Sequence, residues 1–172
     1  LDFCLKSGTL PRMEPKQGLT VRGCMSEKGI SLHLHAESAE DVLKELVALI
    51  GDIKDIPGAA TKLLDALRER EKLCSTGVGD GVAFPHCRHA LVGLVKTPVV
   101  VFGRHENGVA YGAVDSAPAK LFFLVVAPSV SIHLQILARL GRMSRDDRFR
   151  QSLLNAKSSQ EVLDIIERAE NA

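Results

Sequence analysis

The chain has 172 residues, which is enough for one domain with a substantial core and short for two. Its formal net charge of +1 gives no whole-molecule attraction for nucleic acid or for an anionic membrane, and neither is expected as a partner. The longest apolar run, 121–128, is too short to cross a bilayer, so no direct membrane insertion is predicted.

The cysteines and the start of the chain favour a cytoplasmic location. Four cysteines are widely scattered and form no Cys-x-x-Cys pair. A disulfide framework is typical of smaller, cysteine-denser secreted chains, so reduced thiols fit this sequence better. Residues 1–24 also lack the continuous apolar stretch of a secretory signal.

The first 29 residues contain Gly, Pro, Lys and Arg with no period of two or of 3.6. This composition predicts a poorly structured tail or linker over 1–29, followed by a single domain over 30–172. From Ile30 to His35 apolar and polar residues alternate, which predicts a short strand at the start of that domain.

Two helices are predicted next. Ser38, with Asp41 three residues later, resembles a capping box, and the apolar residues of 42–50 have the spacing of one helix face. Pro57 begins a second helical segment that ends in the charged run 68–72. Such a run is typical of a solvated helix face.

The middle of the chain reads as loop and strands. Two apolar runs rich in β-branched and aromatic residues, 98–102 and 120–127, predict buried strands. Between them Asn107-Gly108 is a turn signal, which predicts another short strand over 109–111. Three glycines at alternate positions exclude a stable helix before these strands and predict a tight loop or hairpin. They are Gly77, Gly79 and Gly81.

The last third of the chain is predicted to be helical. Apolar spacing indicates an amphipathic helix over 132–140, another helix over 146–154 and a capped helix that begins at Ser158. Helices therefore lie on both sides of the strand region in the sequence. The fold class expected from this order is α/β, with one central sheet.

The glycine segment ends in Phe84-Pro85-His86 and is the most informative part of the chain. Its glycines let backbone N–H groups approach an anion closely, and Ser75 and Thr76 add hydroxyl donors for a phosphoryl group. Pro85 restricts the backbone immediately before His86. Taken alone, these features fit a structural turn at least as well as a phosphate site, and the P-loop pattern is absent.

The stretch 70–86, REKLCSTGVGDGVAFPH, resembles the active-site signature of the enzyme IIA domains of the bacterial phosphotransferase system. The match is to the fructose, mannitol and nitrogen-regulatory class, whose pattern is R-E-x-x-x-S-T-G-[IV]-G-x-G-[IV]-A-[IF]-P-H. A second segment, IHLQILA at 132–138, is similar to the family's x-H-L-x-x-L-x. The resemblance extends from Ser31 to Ala169, about four-fifths of the chain.

This resemblance implies a single mixed β-sheet of about five strands flanked by helices on both faces. It implies that His86 accepts a phosphoryl group from the carrier HPr and passes it to a IIB domain for sugar uptake. His133 would be the second active-site histidine, and Arg70 would face the phosphoryl group. No cofactor and no metal is implied. The alternative is a nitrogen-regulatory protein that controls partner proteins according to its phosphorylation state.

These roles agree with the chemistry of the side chains. A neutral imidazole is a good nucleophile near pH 7. Phosphoryl transfer requires mainly positioning and stabilisation of charge on the equatorial oxygens, which a planar guanidinium supplies well. His133 is expected to donate a hydrogen bond to the phosphoryl group or to orient His86.

Cys87 departs from the family pattern, which has a small residue after the histidine. Its thiol is either a site of oxidation that blocks docking or, as the more ordinary explanation, a slightly larger residue that the fold tolerates. A zinc site is a second alternative, because Cys74 and His89 also lie close to His86 in the sequence. Their spacing matches no established zinc pattern.

Overall fold

The computed structural model describes residues 18–89 and 93–172. Its strands form one five-stranded mixed sheet of order β1-β4-β5-β3-β2. β1 pairs with β4 and β3 pairs with β5 in parallel, whereas the β4–β5 and β2–β3 pairs are antiparallel. The strands are β1 (Ile30–Ser31), β2 (Gly77–Gly79), β3 (Val82–Ala83), β4 (Val99–Val109) and β5 (Ala119–Val126).

Helices cover both faces of this sheet, as predicted. Alternate residues of a strand point to opposite faces, so Phe122 packs with the first two helices and Phe123 with the last three. Every residue of β5 except Lys120 is buried, because this strand lies in the middle of the sheet between two helical layers. The helices are α1 (Ala39–Ala48), α2 (Ala59–Leu73), α3 (Val130–Ser144), α4 (Asp147–Asn155) and α5 (Ser159–Glu170).

Serine side chains begin three of the helices. The Ser38 hydroxyl accepts from the backbone N–H of Asp41 at 3.2 Å, which confirms the predicted cap of α1. Ser158 caps α5 in the same way. Ser129 caps α3 directly after β5, so the first turn of α3 lies at the carboxyl end of that strand.

The prediction of a poorly structured segment over 1–29 does not hold for its described part. Val21 is fully buried, and Cys24 and Met25 are buried beside it in the core under α5. The Glu170 carboxylate accepts from the backbone N–H groups of Val21 at 2.7 Å and Arg22 at 2.9 Å. The contact joins residues almost 150 positions apart, so local periodicity could not indicate it. Residues 1–17 lie outside the described part of the chain.

The predicted turn at Asn107-Gly108 is also wrong. Both residues belong to β4, which continues to Val109. The β4–β5 register shifts between Arg104 and Val109, and Gly108 has a φ of +82°. The glycine therefore serves an irregularity within one strand instead of a turn between two.

Neither the α-helices nor the shorter helical turns within residues 18–89 and 93–172 combine the length and the apolar character needed to cross a bilayer.

Candidate active site

Three side chains predicted to act together lie close in space. Arg70 comes from the last turn of α2, His86 follows β3, and His133 comes from the first turn of α3. The Arg70 Nε–H donates to His86 Nε2 at 3.2 Å. The ring centroids of His86 and His133 are 5.2 Å apart. The structure therefore brings the three residues into one site.

The sheet positions both histidines. His86 pairs with Val125 in parallel, and the backbone N–H of Val125 donates to the Pro85 carbonyl at 2.9 Å. The chain after β3 thus continues alongside β5. Because β3 and β5 are parallel, His86 and the start of α3 meet at the same edge of the sheet, the carboxyl end of two parallel strands.

Hydrogen bonds fix the tautomer of His86. Its Nδ1 lies 2.6 Å from the Phe84 carbonyl oxygen, which can only accept, so Nδ1 carries the proton. Nε2 is therefore unprotonated in the neutral ring and holds the lone pair to which Arg70 donates. In this arrangement Nε2 is the ring nitrogen with a lone pair that can attack an electrophile.

Burial favours the neutral form of both imidazoles. It lowers the pKa of His86, and the Arg70 guanidinium adds to this effect, whereas the Phe84 carbonyl and the Glu71 carboxylate act in the opposite direction. The pKa of His133 is lowered by burial and further by His86 and Arg70. Neutral imidazoles near pH 7 are the form that attacks phosphorus.

Arg70 is held in place from a second side. Its Nη1 donates to the Cys74 carbonyl at 2.6 Å, beyond the end of α2. Its neighbour Arg68 behaves differently, because its guanidinium pairs with Glu40 and with Asp65 at the surface of the helices. The charged run is therefore not uniformly a solvated face: one of its arginines points toward His86.

The hydroxyls of Ser75 and Thr76 are engaged within the protein. The Ser75 hydroxyl donates to the Tyr111 carbonyl and accepts from the Gly77 N–H at 3.0 Å. The Thr76 hydroxyl donates to the Glu71 carboxylate at 2.6 Å. Each hydroxyl proton is thus already donated, and a direct contact with a phosphoryl group would require these bonds to break. The phosphoryl-binding role expected for the two residues stays a prediction.

Glu71 is a residue that sequence reasoning missed. Its carboxylate accepts from both the backbone N–H of Thr76, at 2.8 Å, and the Thr76 hydroxyl. These two bonds tie the end of α2 to the start of the glycine segment and so fix Arg70 relative to His86. Its position next to Arg70 in the sequence motif could have indicated that Glu71 belongs to the site.

The glycine segment forms the predicted hairpin, with β2 and β3 as its strands. Gly79 and Gly81 have φ values of +96° and +74°, which side chains with a Cβ rarely adopt. The Asp115 carboxylate accepts from the Asp80 N–H at 2.8 Å and so attaches the turn to the β4–β5 connection. A Cβ at Gly77 would lie 3.0 Å from the Cβ of Ala113, so the two segments are closely packed there.

Cys87 is a core residue. Its side chain is 6% exposed and packs with the core beneath α1 and α2. Burial raises the pKa of its thiol to about 12, so the reactive thiolate is scarce at neutral pH. The structure thus favours the tolerated-residue explanation over oxidation. Within the described ranges, no three His, Cys, Asp or Glu side chains converge as a metal site would require.

Apolar side chains are exposed on the same elements. Leu73 follows Arg70 on α2 and is 63% exposed, Val78 lies on the glycine hairpin, and Leu134 follows His133 on α3. Phe84, by contrast, is buried against Phe123, with ring centroids 6.0 Å apart. The elements that carry the site thus expose three apolar side chains.

The chain matches the family model described as "Phosphoenolpyruvate-dependent sugar phosphotransferase system, EIIA 2" over residues 24–169. It is 38% identical over 132 residues to the fructose-specific EIIA component of Haloferax volcanii, covering 76% of this chain and 81% of that protein. It is 32% identical over 147 residues to the fructose-specific EIIABC component of Bacillus subtilis, covering 83% of this chain but only 22% of that protein.

Solved structures show the same fold. The nitrogen regulatory protein IIA-Ntr of Neisseria meningitidis superposes with a TM-score of 0.76 at 30% identity, covering 85% of this chain and 98% of that one. The mannitol enzyme IIA of Escherichia coli, solved in complex with phosphorylated enzyme IIB, gives a TM-score of 0.71 at 23% identity, covering 83% and 96%. Together with the family match, these likenesses establish that the chain belongs to the EIIA type-2 family of the phosphoenolpyruvate-dependent sugar phosphotransferase system.

Proposed function

We propose that this protein is a phosphocarrier that accepts a phosphoryl group on Nε2 of His86 from phospho-HPr and passes it to a IIB domain. The observation that carries the proposal is the pair of hydrogen bonds on the His86 ring. The Phe84 carbonyl holds the proton on Nδ1, and the lone pair of Nε2 faces the Arg70 guanidinium. A nucleophile and a fixed positive charge are thus in contact.

In the proposed step the Nε2 lone pair attacks phosphorus, and the bond between phosphorus and the donor's histidine nitrogen breaks. The electron pair of that bond returns to the donor's ring. His86 then has a phosphorus–Nε2 bond and still donates its Nδ1 proton to the Phe84 carbonyl, so the ring is positively charged. A cationic ring is a good leaving group, which favours the next transfer, to the acceptor.

Arg70 has to change its partner during this step. In the unphosphorylated site its Nε–H donates to the lone pair that must attack. Once phosphorus occupies Nε2, the guanidinium can donate instead to the equatorial phosphoryl oxygens, where negative charge accumulates. His133, whose ring lies beside that of His86, is placed to donate to the same oxygens or to orient the ring.

The exposed apolar side chains on these elements support a docking role. A carrier must present its histidine to two proteins in turn, so each complex has to be modest in area and short-lived. Leu73, Val78 and Leu134 offer apolar contacts on three different elements of the site. A cytoplasmic location, expected from the sequence, suits exchange with such carriers.

A regulatory role is the second candidate. It is favoured by the likeness to the nitrogen regulatory protein of Neisseria meningitidis, at a TM-score of 0.76. In this case phosphorylation of the same His86 would control the binding of a target protein. The chemistry at the histidine is identical, so the two candidates differ only in what the phosphorylated protein does next.

The experiment that tests the proposal follows the phosphoryl group from HPr to this protein and on to a IIB domain. Protein labelled from radioactive phosphoenolpyruvate, enzyme I and HPr is separated from the donors and mixed with a purified IIB domain. We expect the label to reach the IIB domain within seconds and to be absent when His86→Ala replaces the wild type. Label that stays on the wild-type protein would argue for the regulatory role, and a wild-type protein that is never labelled would overturn both.

A further inference from the structure

A groove of about 520 Å³ lies beside the phosphorylation site, between the last turns of α2 and the residues that follow His86. Neither His86 nor His133 lines it. Arg70 belongs to both places, because its guanidinium contacts His86 and the residue also borders the groove. The groove is therefore a separate cavity that shares one side chain with the site. Its volume is in the range of small-molecule pockets.

The floor of the groove is apolar. Ala66, Leu73 and Cys87 line it, and Leu73 is 63% exposed. An exposed leucine on its own is ordinary. Here, however, Leu73 borders a concave surface together with the partly buried Ala66 and the buried Cys87, so a flat apolar body could lie against that surface.

The rim of the groove is positively charged. Arg70, Lys72 and Arg88 border it, and among the residues that the structure describes Glu69 is the one acidic member of its lining. Lys72 and Arg88 form no ion pair with a carboxylate in the described part of the chain. A concave, partly apolar surface concentrates the field of such charges and favours an anion over a neutral molecule.

We propose that this groove binds a small organic anion, with a flat apolar body on the floor and a carboxylate, sulfonate or phosphate against Lys72 and Arg88. The apolar floor accounts for the flat apolar body of the ligand, and the cationic rim accounts for its anionic group. The apolar floor gives an inorganic ion nothing to contact, and the cationic rim gives a neutral hydrocarbon no advantage.

Binding in the groove is linked to the phosphorylation state of His86, a consequence that rests on the proposed function. A phosphoryl group on Nε2 draws Arg70 away from the rim and places negative charge nearby. Both changes lower the affinity of the groove for an anion. Because linkage is reciprocal, a bound anion must in turn disfavour phosphorylation to the same extent.

The binding test compares two fluorescent probes with the same kind of rings. 8-Anilinonaphthalene-1-sulfonate carries a sulfonate, and N-phenyl-1-naphthylamine is neutral. We expect saturable binding of the anionic probe at one site and at least fivefold weaker binding of the neutral probe. Equal affinity for the two probes, or no saturable binding of the anionic one, would overturn the proposal.

Variants locate the site. Arg88→Glu and Lys72→Glu should each lower the affinity for the anionic probe roughly tenfold, as expected for reversal of one nearby charge. Leu73→Ser should lower the affinity for both probes, because both use the apolar floor. Lys62→Glu is the matched control, because it makes the same charge change on α2 outside the groove and should leave both affinities unchanged. An equal effect of Lys62→Glu and Arg88→Glu would mean that net charge, not the groove, is responsible.

A last arm tests the linkage with protein that has been phosphorylated and checked for an acid-labile label. We expect its affinity for the anionic probe to be several-fold lower than that of the unmodified protein. An unchanged affinity would contradict the linkage. Protein that cannot be labelled would contradict the proposed function, while the probe and variant results would still decide whether the groove binds anions.

Discussion

Replacement of Arg70 by alanine separates a role in transfer from a role in the fold. The guanidinium makes two described hydrogen bonds, to His86 Nε2 at 3.2 Å and to the Cys74 carbonyl at 2.6 Å. Its side chain is only partly buried, and α2 keeps its apolar contacts through Leu63 and Leu67. We therefore expect Arg70→Ala to fold normally and to transfer phosphate slowly.

The size of the effect follows from the two states of the site. Loss of a charged donor facing the transferring phosphoryl group removes about 3–4 kcal/mol of transition-state stabilisation. The same variant also frees the Nε2 lone pair from its hydrogen bond to Arg70, which returns about 1 kcal/mol. The net loss is about 2–3 kcal/mol, or roughly a 30- to 160-fold slower transfer.

Rapid-quench measurement of transfer from phospho-HPr gives this rate directly. Arg68→Ala is the matched control, because it removes an arginine two residues away whose partners are Glu40 and Asp65. Its transfer rate should equal that of the wild type. If Arg70→Ala transfers within threefold of the wild-type rate while its circular dichroism is unchanged, the guanidinium does not act on the phosphoryl group.

Four further expectations can be checked separately. The ring protons of His86 should titrate by NMR below the ordinary pKa of 6.5, because burial disfavours the charged ring; the free energy of unfolding should accordingly fall as the pH drops below that value. Glu71→Gln should slow transfer and lower the Tm, since the hydrogen bonds to Thr76 lose their charge; a rate equal to that of the wild type would show that the loop needs no such tie. Glu170→Ala should cost about 1–3 kcal/mol of unfolding free energy by leaving two N–H groups without their acceptor, with transfer unchanged. A thiol reagent should modify exposed Cys74 in the folded protein and reach Cys87 only on unfolding.

Individual strands and helices were predictable because their signals are local, whereas the mixed sheet with helices on both faces was implied by the family resemblance. β5 is apolar from Leu121 onward and lies inside the predicted range 120–127 apart from its first residue, and Ser38 caps α1 as its spacing with Asp41 predicts. The parts that were missed depend on partners far away in the sequence. The Glu170 carboxylate holds the backbone of Val21, and Asn107-Gly108 lies within β4 because β5 pairs with Arg104 and Val109 on either side of it. The turn preference of a dipeptide is overridden when a neighbouring strand pairs with the residues that flank it.

In the candidate site, too, some features were predictable from local motifs and others were not. The motifs were sufficient to select Arg70, His86 and His133, since each stands at a diagnostic position. They could not indicate that the hydroxyls of Ser75 and Thr76 are donated within the protein, because their partners on Tyr111 and Glu71 are defined only by the folded hairpin. For Cys87 the sequence favoured a tolerated residue but left open a thiol beside His86 that is accessible to oxidation. The strand direction after β3 turns it into the core instead.

The attachment site of the phosphoryl group tests the central claim most directly. Protein labelled uniformly with ¹⁵N and phosphorylated by enzyme I, HPr and phosphoenolpyruvate can be examined by NMR for coupling between phosphorus and a histidine nitrogen. We expect one phosphoryl group, stable in base and labile in acid, coupled to Nε2 of His86. A phosphoryl group on Nδ1 of His86, on His133, or on a His86→Ala variant at the normal rate would contradict the claim.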